Sequence, residues 1–420
     1  MEIPFKKADI LLPKNADMTK WSVIACDQYT SEPEYWKEVE EIVGDAPSTL
    51  KITLPEIYLE QENVSDRIVK INSEMEHLLD INFFKTLNNS LIYLERTCAD
   101  GKIRKGIIGK VDLEAYSYEK GSQTLIRATE GTVLERIPPR VKVRQNAKLE
   151  LPHVMLLIDD EKKEIIEGLS NKVSDEDIVY DFELMQNGGH VKGYRIPDNL
   201  VQNVFDGLEK LADKDNFETR YNVKDKGVLL FSVGDGNHSL ATAKACYENL
   251  KKTLPKEEYE NHPARYALVE VVNLHSDALQ FEPIHRVVFG VEPEKMIQEL
   301  EKYYEISRTP CEGQKIEYVY KDKEETLYIK NPKSNLAVGS LQMFIDEYIK
   351  QHGGKVDYIH GDDVTKDLGR KEGNIGFLLP NVDKNDLFKT VILDGALPRK
   401  TFSMGHSYDK RYYLEARRIK

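Results

Sequence analysis

Apolar positions along this chain come in short runs whose period changes from place to place. Val228-Leu229-Leu230-Phe231-Ser232-Val233 is a nearly continuous apolar run, the pattern of a strand covered on both faces. Gly234-Asp235-Gly236-Asn237-His238-Ser239 follow, and from Leu240 the positions Leu240, Ala243, Tyr247 and Leu250 recur at helical spacing. The pattern predicts a strand, a glycine-rich turn over 234–239 and a helix.

The same reading extends along the chain. Trp21–Ala25 reads as a short strand and Pro33–Val43 as a helix with proline in its first turn. Val64, Ile68, Ile71, Met75 and Leu78 predict a helix over 64–79. Leu91–Glu95 and Ile107–Leu113 read as a hairpin through Ala99-Asp100-Gly101, and Tyr180–Met185 with Val191–Ile196 as a second through Asn187-Gly188-Gly189. Val154–Ile158 and Tyr266–Leu274 read as buried strands. A charged helix is expected after Asp159-Asp160, and another from Pro197 with Leu200, Val204, Leu208 and Leu211 inward. Helices over 292–304 and 340–351 and strands near 355–359, 375–379 and 389–393 complete the pattern. The fold class is mixed α/β (α+β), with mixed sheets and flanking helices. Two regions are expected, an N-terminal α+β region over 1–145 and a core α/β region over 146–420 carrying the turn, unless the two form one integrated unit.

Composition narrows the partners. The 420 residues carry a formal charge of −13, and no long Lys/Arg run offsets it, so nucleic acid is not an expected partner. Cys26, Cys98, Cys246 and Cys311 show no C-x-x-C or zinc spacing and read as free thiols. Neither a signal-peptide pattern nor a membrane-length apolar run is evident, so a cytoplasmic protein with a small-molecule substrate and no membrane contact is expected. Oligomeric state is not readable from the sequence.

The turn concentrates an acid, an amide, an imidazole and a hydroxyl where a helix exposes unpaired N–H groups. Gly234 and Gly236 permit positive φ and close approach of a ligand. Asn237 or Ser239 is expected to cap the helix. Asp235 would repel a bare phosphate and suits a Mg²⁺ ligand or a base beside a hydroxyl. His238 could donate to a phosphoryl oxygen. The alternative is a plain turn with a helix cap. The lysine of a P-loop and the spacing of a dinucleotide motif are both absent.

The segment resembles the Asp-Gly-His-His-Arg signature of a bacterial family known as domain-of-unknown-function family 1015. Asp27-Gln28-Tyr29 falls near that family's Tyr-Asp element, and Thr129-Glu130-Gly131-Thr132 where it usually has His-Glu-x-x-Thr. Ile284-His285-Arg286 matches its Thr-His-Arg, and Leu397-Pro398-Arg399-Lys400-Thr401 its closing Met-Pro-x-Lys-Ser/Thr. The signature is in turn similar to the phosphate loop of the ParB/sulfiredoxin superfamily, which includes free serine kinases. That similarity implies a ParB/sulfiredoxin-like core around 228–250, with ATP or ADP and Mg as cofactors. Asn237 stands where the signature has its first His, and Ser239 where it has Arg. An arginine at that place would clamp phosphate bidentately.

Arg127, followed closely by Arg140 and Arg144, offers candidate replacements for that cation, while His285-Arg286 could line a cleft and the basic loop Arg399-Lys400 could contact a phosphate or carboxylate. Glu130, close to Arg127, is either a general base for a hydroxyl or part of a surface ion-pair cluster. His360, before Gly361-Asp362-Asp363, only loosely resembles a metal ligand. The leading expectation is a phosphotransferase that phosphorylates a hydroxyl-bearing metabolite such as free serine. Asp235, His238 and Glu130 would be catalytic, and Asp235 would hold the metal. A phosphoester hydrolase acting on phosphoserine, and a non-catalytic nucleotide- or metabolite-binding regulatory module, are the alternatives.

Overall fold

The computed structural model describes residues 2–398, 400–405 and 407–420. Its strands and helices form two compact units, interleaved along the chain. The first comprises Met1–Ala128, Thr132–Leu279 and His406–Lys420, and the second Thr129–Gly131 and Gln280–Gly405.

The first unit is built on one mixed ten-stranded sheet. From one edge its strands are Ile178–Glu183, His190–Arg195, Ile92–Thr97, Ile103–Asp112, Tyr266–Asn273, Val154–Ile158, Phe231–Asp235, Ile126–Ala128 and Tyr116–Ser117, with Phe5–Lys6 beside Ile103–Asp112. Both predicted hairpins are present and antiparallel. Alternation along the strands feeds two cores, one on each face. Tyr93, Ile107 and Val269 join one cluster, while Ile92, Ile108 and Leu268 join the other. The first face is covered by the helix Asp198–Ala212 through Leu200, Val204 and Leu208, and by the helix Asn237–Lys251 through Leu240, Ala243 and Tyr247. The helix Pro33–Val43 covers the second with Trp36, Val39 and Val43. Each of the Leu and Val side chains among them contributes about 1.5–3 kcal/mol when fully buried. The helix Val64–Asp80 packs Ile71, Met75 and Leu78 into a third, smaller core.

The second unit has a seven-stranded antiparallel sheet, ordered Ile306–Ser307, Lys323–Ile329, Gln314–Tyr320, Asn374–Leu378, Phe281–Phe289 and Lys355–His360, with Phe402–Met404 on the first half of Phe281–Phe289. Helices Pro293–Tyr303, Ala337–His352, Asp362–Gly369 and Lys384–Asp394 accompany it.

Three sequence expectations are corrected. Residues 389–393 lie in the helix Lys384–Asp394, not a strand, because Leu387, Phe388, Val391 and Ile392 share one helical face. Asp383 caps that helix at Asn385 N, and Gly395 ends it at φ 84°. The charged segment after Asp160 forms turns with two single 3₁₀ turns, Glu167–Leu169 and Asp175–Asp177. There Asp160 Oδ2 accepts from Ile165 N at 2.9 Å, and Lys163 takes a positive φ that no helix allows. Before the short strand Val23–Ile24, Met18–Trp21 is a helical turn capped by Asp17.

Candidate functional site

The strand of the 234–239 motif is Phe231–Asp235, paired antiparallel to Val154–Ile158 and parallel to Ile126–Ala128. It runs through Gly234 to Asp235, and the helix begins at Asn237. The turn is therefore Gly236 alone, at φ 80°. A Cβ there would lie 3.0 Å from both Val154 Cα and His153 Cδ2, so the position requires glycine for its dihedral and for its neighbours. The expected Asn237 or Ser239 cap does not occur. Gly236 occupies the cap position and has no side chain with which to cap the helix. Asn237, His238 and Ser239 form the first helical turn and are half-buried, with the His238 carbonyl accepting from Thr242 Oγ1 at 2.7 Å.

Asp235 closes the strand beside this helix start. Its Oδ1 accepts from Gly236 N at 3.0 Å, and its Oδ2 lies 3.5 Å from Lys410 Nζ. Sequence reasoning missed Lys410, which sits in the polar run Tyr408-Asp409-Lys410-Arg411. Buried arginines fix this run by its main chain. Arg96 Nη2 donates to the Gly188 carbonyl at 2.8 Å and to that of Tyr408 at 2.6 Å, while Arg104 Nη1 donates to the Asp409 carbonyl at 2.6 Å. Arg411 pairs with the fully buried Glu270 at 2.8 Å and with Glu415.

His153 is the second missed residue, placed just ahead of Val154–Ile158. Its Nε2 is 3.1 Å from Asp27 Oδ2 and its Nδ1 is 2.6 Å from Tyr413 Oη. Tyr413 Oη in turn donates to Cys26 Sγ at 3.1 Å. Burial alone would lower the His153 pKa, but Tyr413 and the Asp27 carboxylate outweigh it and hold it well above the ordinary imidazole value. Burial likewise opposes ionisation of Asp27, yet His153, Gln28 and Lys410 hold its carboxyl well below the usual range. Both ring nitrogens then donate, and a charged Asp27–His153 pair stands beside Gly236. A cavity of about 160 Å³ opens here, with Cys26, His153, Ser239, Thr242 and Tyr413 among the residues that line it.

Arg127 belongs to this unit, but its guanidinium is taken by main chain. It donates to the carbonyls of Thr124 at 2.8 Å, Gly227 at 2.5 Å and Val228 at 3.3 Å, and burial pushes its pKa down to about 10.

The remaining candidates lie in the second unit. Glu130 bridges to Leu397, its carboxylate receives the main-chain N–H groups of Lys400 and Thr401, and the charges of Lys400 and Arg286 act on it. Burial outweighs these and raises its pKa. Arg286, fully buried, donates to Gln342 Oε1 at 3.1 Å and to the Lys400 carbonyl at 2.8 Å, and burial lowers its pKa to about 10. His285 accepts from Leu379 N at Nδ1 (3.0 Å), so its Nε2 carries the proton donated to Asp362 Oδ1 at 2.9 Å. Lys400 sits at φ 57°. Arg399 lies outside the described residues. The structure thus gathers Glu130, Arg286 and Lys400 in one unit, and Asp235 with the first turn of its helix in the other.

Among the described residues one group has metal-ligand proximity, Asp159, Glu161 and His275. His360 is not part of it. Arg220 pairs with Asp159 at 2.8 Å and with Glu161 at 3.3 Å, and His275 Nε2 lies 2.6 Å from Asp159, so these acids already have cationic and hydrogen-bonding partners. No helix among the described residues is long and apolar enough to cross a membrane.

The family model described as "Protein of unknown function (DUF1015)" matches residues 3–348. The chain belongs to that family. No curated protein matches it. Among solved structures it is similar to a free serine kinase in complex with AMP, at 11% identity and a TM-score of 0.37, over 73% of this chain and 90% of that one. A conserved hypothetical protein from Pyrococcus furiosus shows 10% identity and a TM-score of 0.35, over 73% and 93%. SbnI from Staphylococcus aureus, truncated at its C-terminus, shows 10% and 0.36, over 71% and 82%. Similarity at this level assigns no residue of this family member a role.

Proposed function

We propose that this protein is a small-molecule phosphotransferase that takes a phosphoryl group from a nucleotide and places it on a hydroxyl-bearing metabolite. The observation that carries the reading is the start of the helix Asn237–Lys251, entered through Gly236 at its cap position, with the Asp235–Lys410 pair beside it. A helix N-terminus attracts phosphate through its first-turn N–H groups and the positive end of its dipole. A carboxylate about 4 Å from a phosphate charge would repel it by roughly 4 kcal/mol at an effective dielectric near 20. Lys410, at 3.5 Å from Asp235, offsets that repulsion and supplies the cation that Ser239 does not.

Magnesium fits as a partner of the nucleotide, because Mg²⁺ is commonly held by one or two carboxylates together with substrate phosphates. Asp235, about 21% exposed and bonded otherwise to Gly236 N, is the residue that would hold it, and the ion would neutralise phosphate charge. In the transfer, the acceptor oxygen bonds to the terminal phosphorus, the bond from that phosphorus to the departing nucleotide breaks, and the hydroxyl proton leaves to a base. His238, on the first helical turn, is proposed to steady the phosphates. Glu130 is proposed as the base from its place in the sequence motif alone, and burial raises its pKa.

Incubation with ATP or ADP, Mg²⁺ and a pool of hydroxyl metabolites that includes free serine should give a phosphorylated product by ³¹P NMR. The product should fall sharply for Asp235→Ala and His238→Ala. Unchanged turnover in both variants sinks the site assignment. Release of phosphate from phosphoserine without nucleotide points instead to a hydrolase, and nucleotide binding without any product to a regulatory module.

A further inference from the structure

The cavity beside Ser239 lies wholly within the first unit, and its lining is both apolar and polar. Its body is walled by Ile52, Leu54, Ile71, Met75, Val143 and Leu149. Cys26, His153, Ser239 and Tyr413 are among its polar residues, and Ser239 is on the first turn of the helix that the phosphate reading uses. At about 160 Å³ it matches the apolar cavities of roughly 150 Å³ that take a benzene ring.

The charges around it do not balance. Arg140 pairs with Glu56, His153 with Asp27, and both Arg144 and Arg417 with Glu150. Arg144 and Arg417 share the single carboxylate of Glu150, which leaves one positive charge over in that group. Arg144 is the member of the Glu150 group that lines the cavity, and its side chain is 20% exposed.

We propose that this cavity binds the phosphoryl acceptor, and that the acceptor is a monoanionic hydroxy acid with an apolar body of about phenyl size. The proposal rests on the phosphotransferase reading for its chemistry, but the pocket and its ligand class stand on the lining alone. The apolar body fills the space among Ile52, Leu54 and Met75, the carboxylate meets the surplus charge at Arg144, and the hydroxyl points to Ser239. Free serine has no apolar body to fill this volume and binds poorly here.

The test uses the whole protein with 3-phenyllactate as probe and free serine as control. Phenyllactate should raise the melting temperature and slow alkylation of Cys26 several-fold, while the exposed Cys311 reacts at an unchanged rate in the same sample. Serine should do neither. Leu59→Trp and Val143→Phe, which fill the cavity from its apolar wall, should abolish the phenyllactate response and leave any response to Mg²⁺-ATP as in the wild type. Equal protection of Cys26 by serine overturns the proposal, as does an absence of protection by phenyllactate. A phenyllactate response that survives in a folded filled variant overturns it as well. Cavity binding that behaves as expected in a protein with no affinity for nucleotide and no phosphorylated product keeps the pocket and removes the phosphotransferase reading.

Discussion

Asp235 Oδ2 and Lys410 Nζ stand 3.5 Å apart although 175 residues separate them in sequence (410 − 235). The strand Phe231–Asp235 brings the acid to the sheet end, and main-chain bonds from Arg96 and Arg104 bring the lysine segment to meet it. Because the guanidinium groups grip carbonyls of residues 408–410, the position of Lys410 depends little on its neighbours' side chains. Replacing Arg96 by Leu should therefore loosen this segment and weaken anion binding at the turn helix without touching the ligand. Nucleotide-induced thermal shift in Arg96→Leu, compared with wild type at matched ionic strength, checks this.

Gly236→Ala should cost about 1–2 kcal/mol from the left-handed backbone alone. The contacts at 3.0 Å to Val154 Cα and His153 Cδ2 add to it, since the first of these atoms is main chain and cannot rotate away. Urea unfolding should show the loss at an unchanged m-value. A variant as stable as wild type would mean that the helix start can shift.

The Asp27–His153 pair predicts a pH signature. His153 has a folded pKa above its unfolded value near 6.5, so its contribution is fully present below about pH 6.5 and is lost as pH rises through the raised value. Asp27 is depressed, so its contribution is present above about pH 4 and is lost as pH falls through the lowered value. Asp27→Asn should thus destabilise most between about pH 4 and 6.5, by roughly 3–5 kcal/mol, because it leaves a buried imidazolium without its counterion. The deficit should shrink at alkaline pH, where His153 can shed its proton. Melting temperatures of the two proteins across pH 4–10 measure the difference curve, and a pH-independent gap would contradict it.

The helices and strands that carry this arrangement were legible where local pattern and tertiary burial agree. Pro33–Val43, Val154–Ile158 and the two hairpins follow from periodicity and turn glycines, because the sheet buries the residues that alternate. The segment 389–393 misled because Val391 and Ile392 favour strands locally, while Leu387 and Phe388 complete a helical face only when read together with them. At the site, the motif 234–239 was visible, yet its partners were not. Lys410 and His153 are brought in by sheet order and by buried arginines, and nothing in a linear window ties residue 153 or 410 to residue 236. Arg127 looked like a phosphate ligand by type, but its place after a loop lets it bind the carbonyls of Thr124, Gly227 and Val228.

Glu130 gives the sharpest test of a proton-transfer role in the second unit. Burial raises its pKa, while the N–H groups of Lys400 and Thr401 and the charges of Lys400 and Arg286 only partly compensate. An acid whose folded pKa exceeds its unfolded value near 4.3 adds stability below that value and loses it as pH rises through the raised one. At neutral pH its charge is therefore a cost to folding. Glu130→Gln removes that cost but keeps the shape and an acceptor oxygen for the Lys400 and Thr401 N–H groups. The variant should be as stable as wild type or more stable at pH 7, and the gain should vanish near pH 4. If Glu130 takes the acceptor's proton, the same variant should lose about 100-fold or more in turnover while its Kd for nucleotide stays the same. Stability curves across pH 4–8 and single-turnover rates on one preparation measure both effects. A variant that gains stability yet turns over at the wild-type rate makes the buried carboxylate a structural acceptor for the 400–401 main chain and moves the base elsewhere.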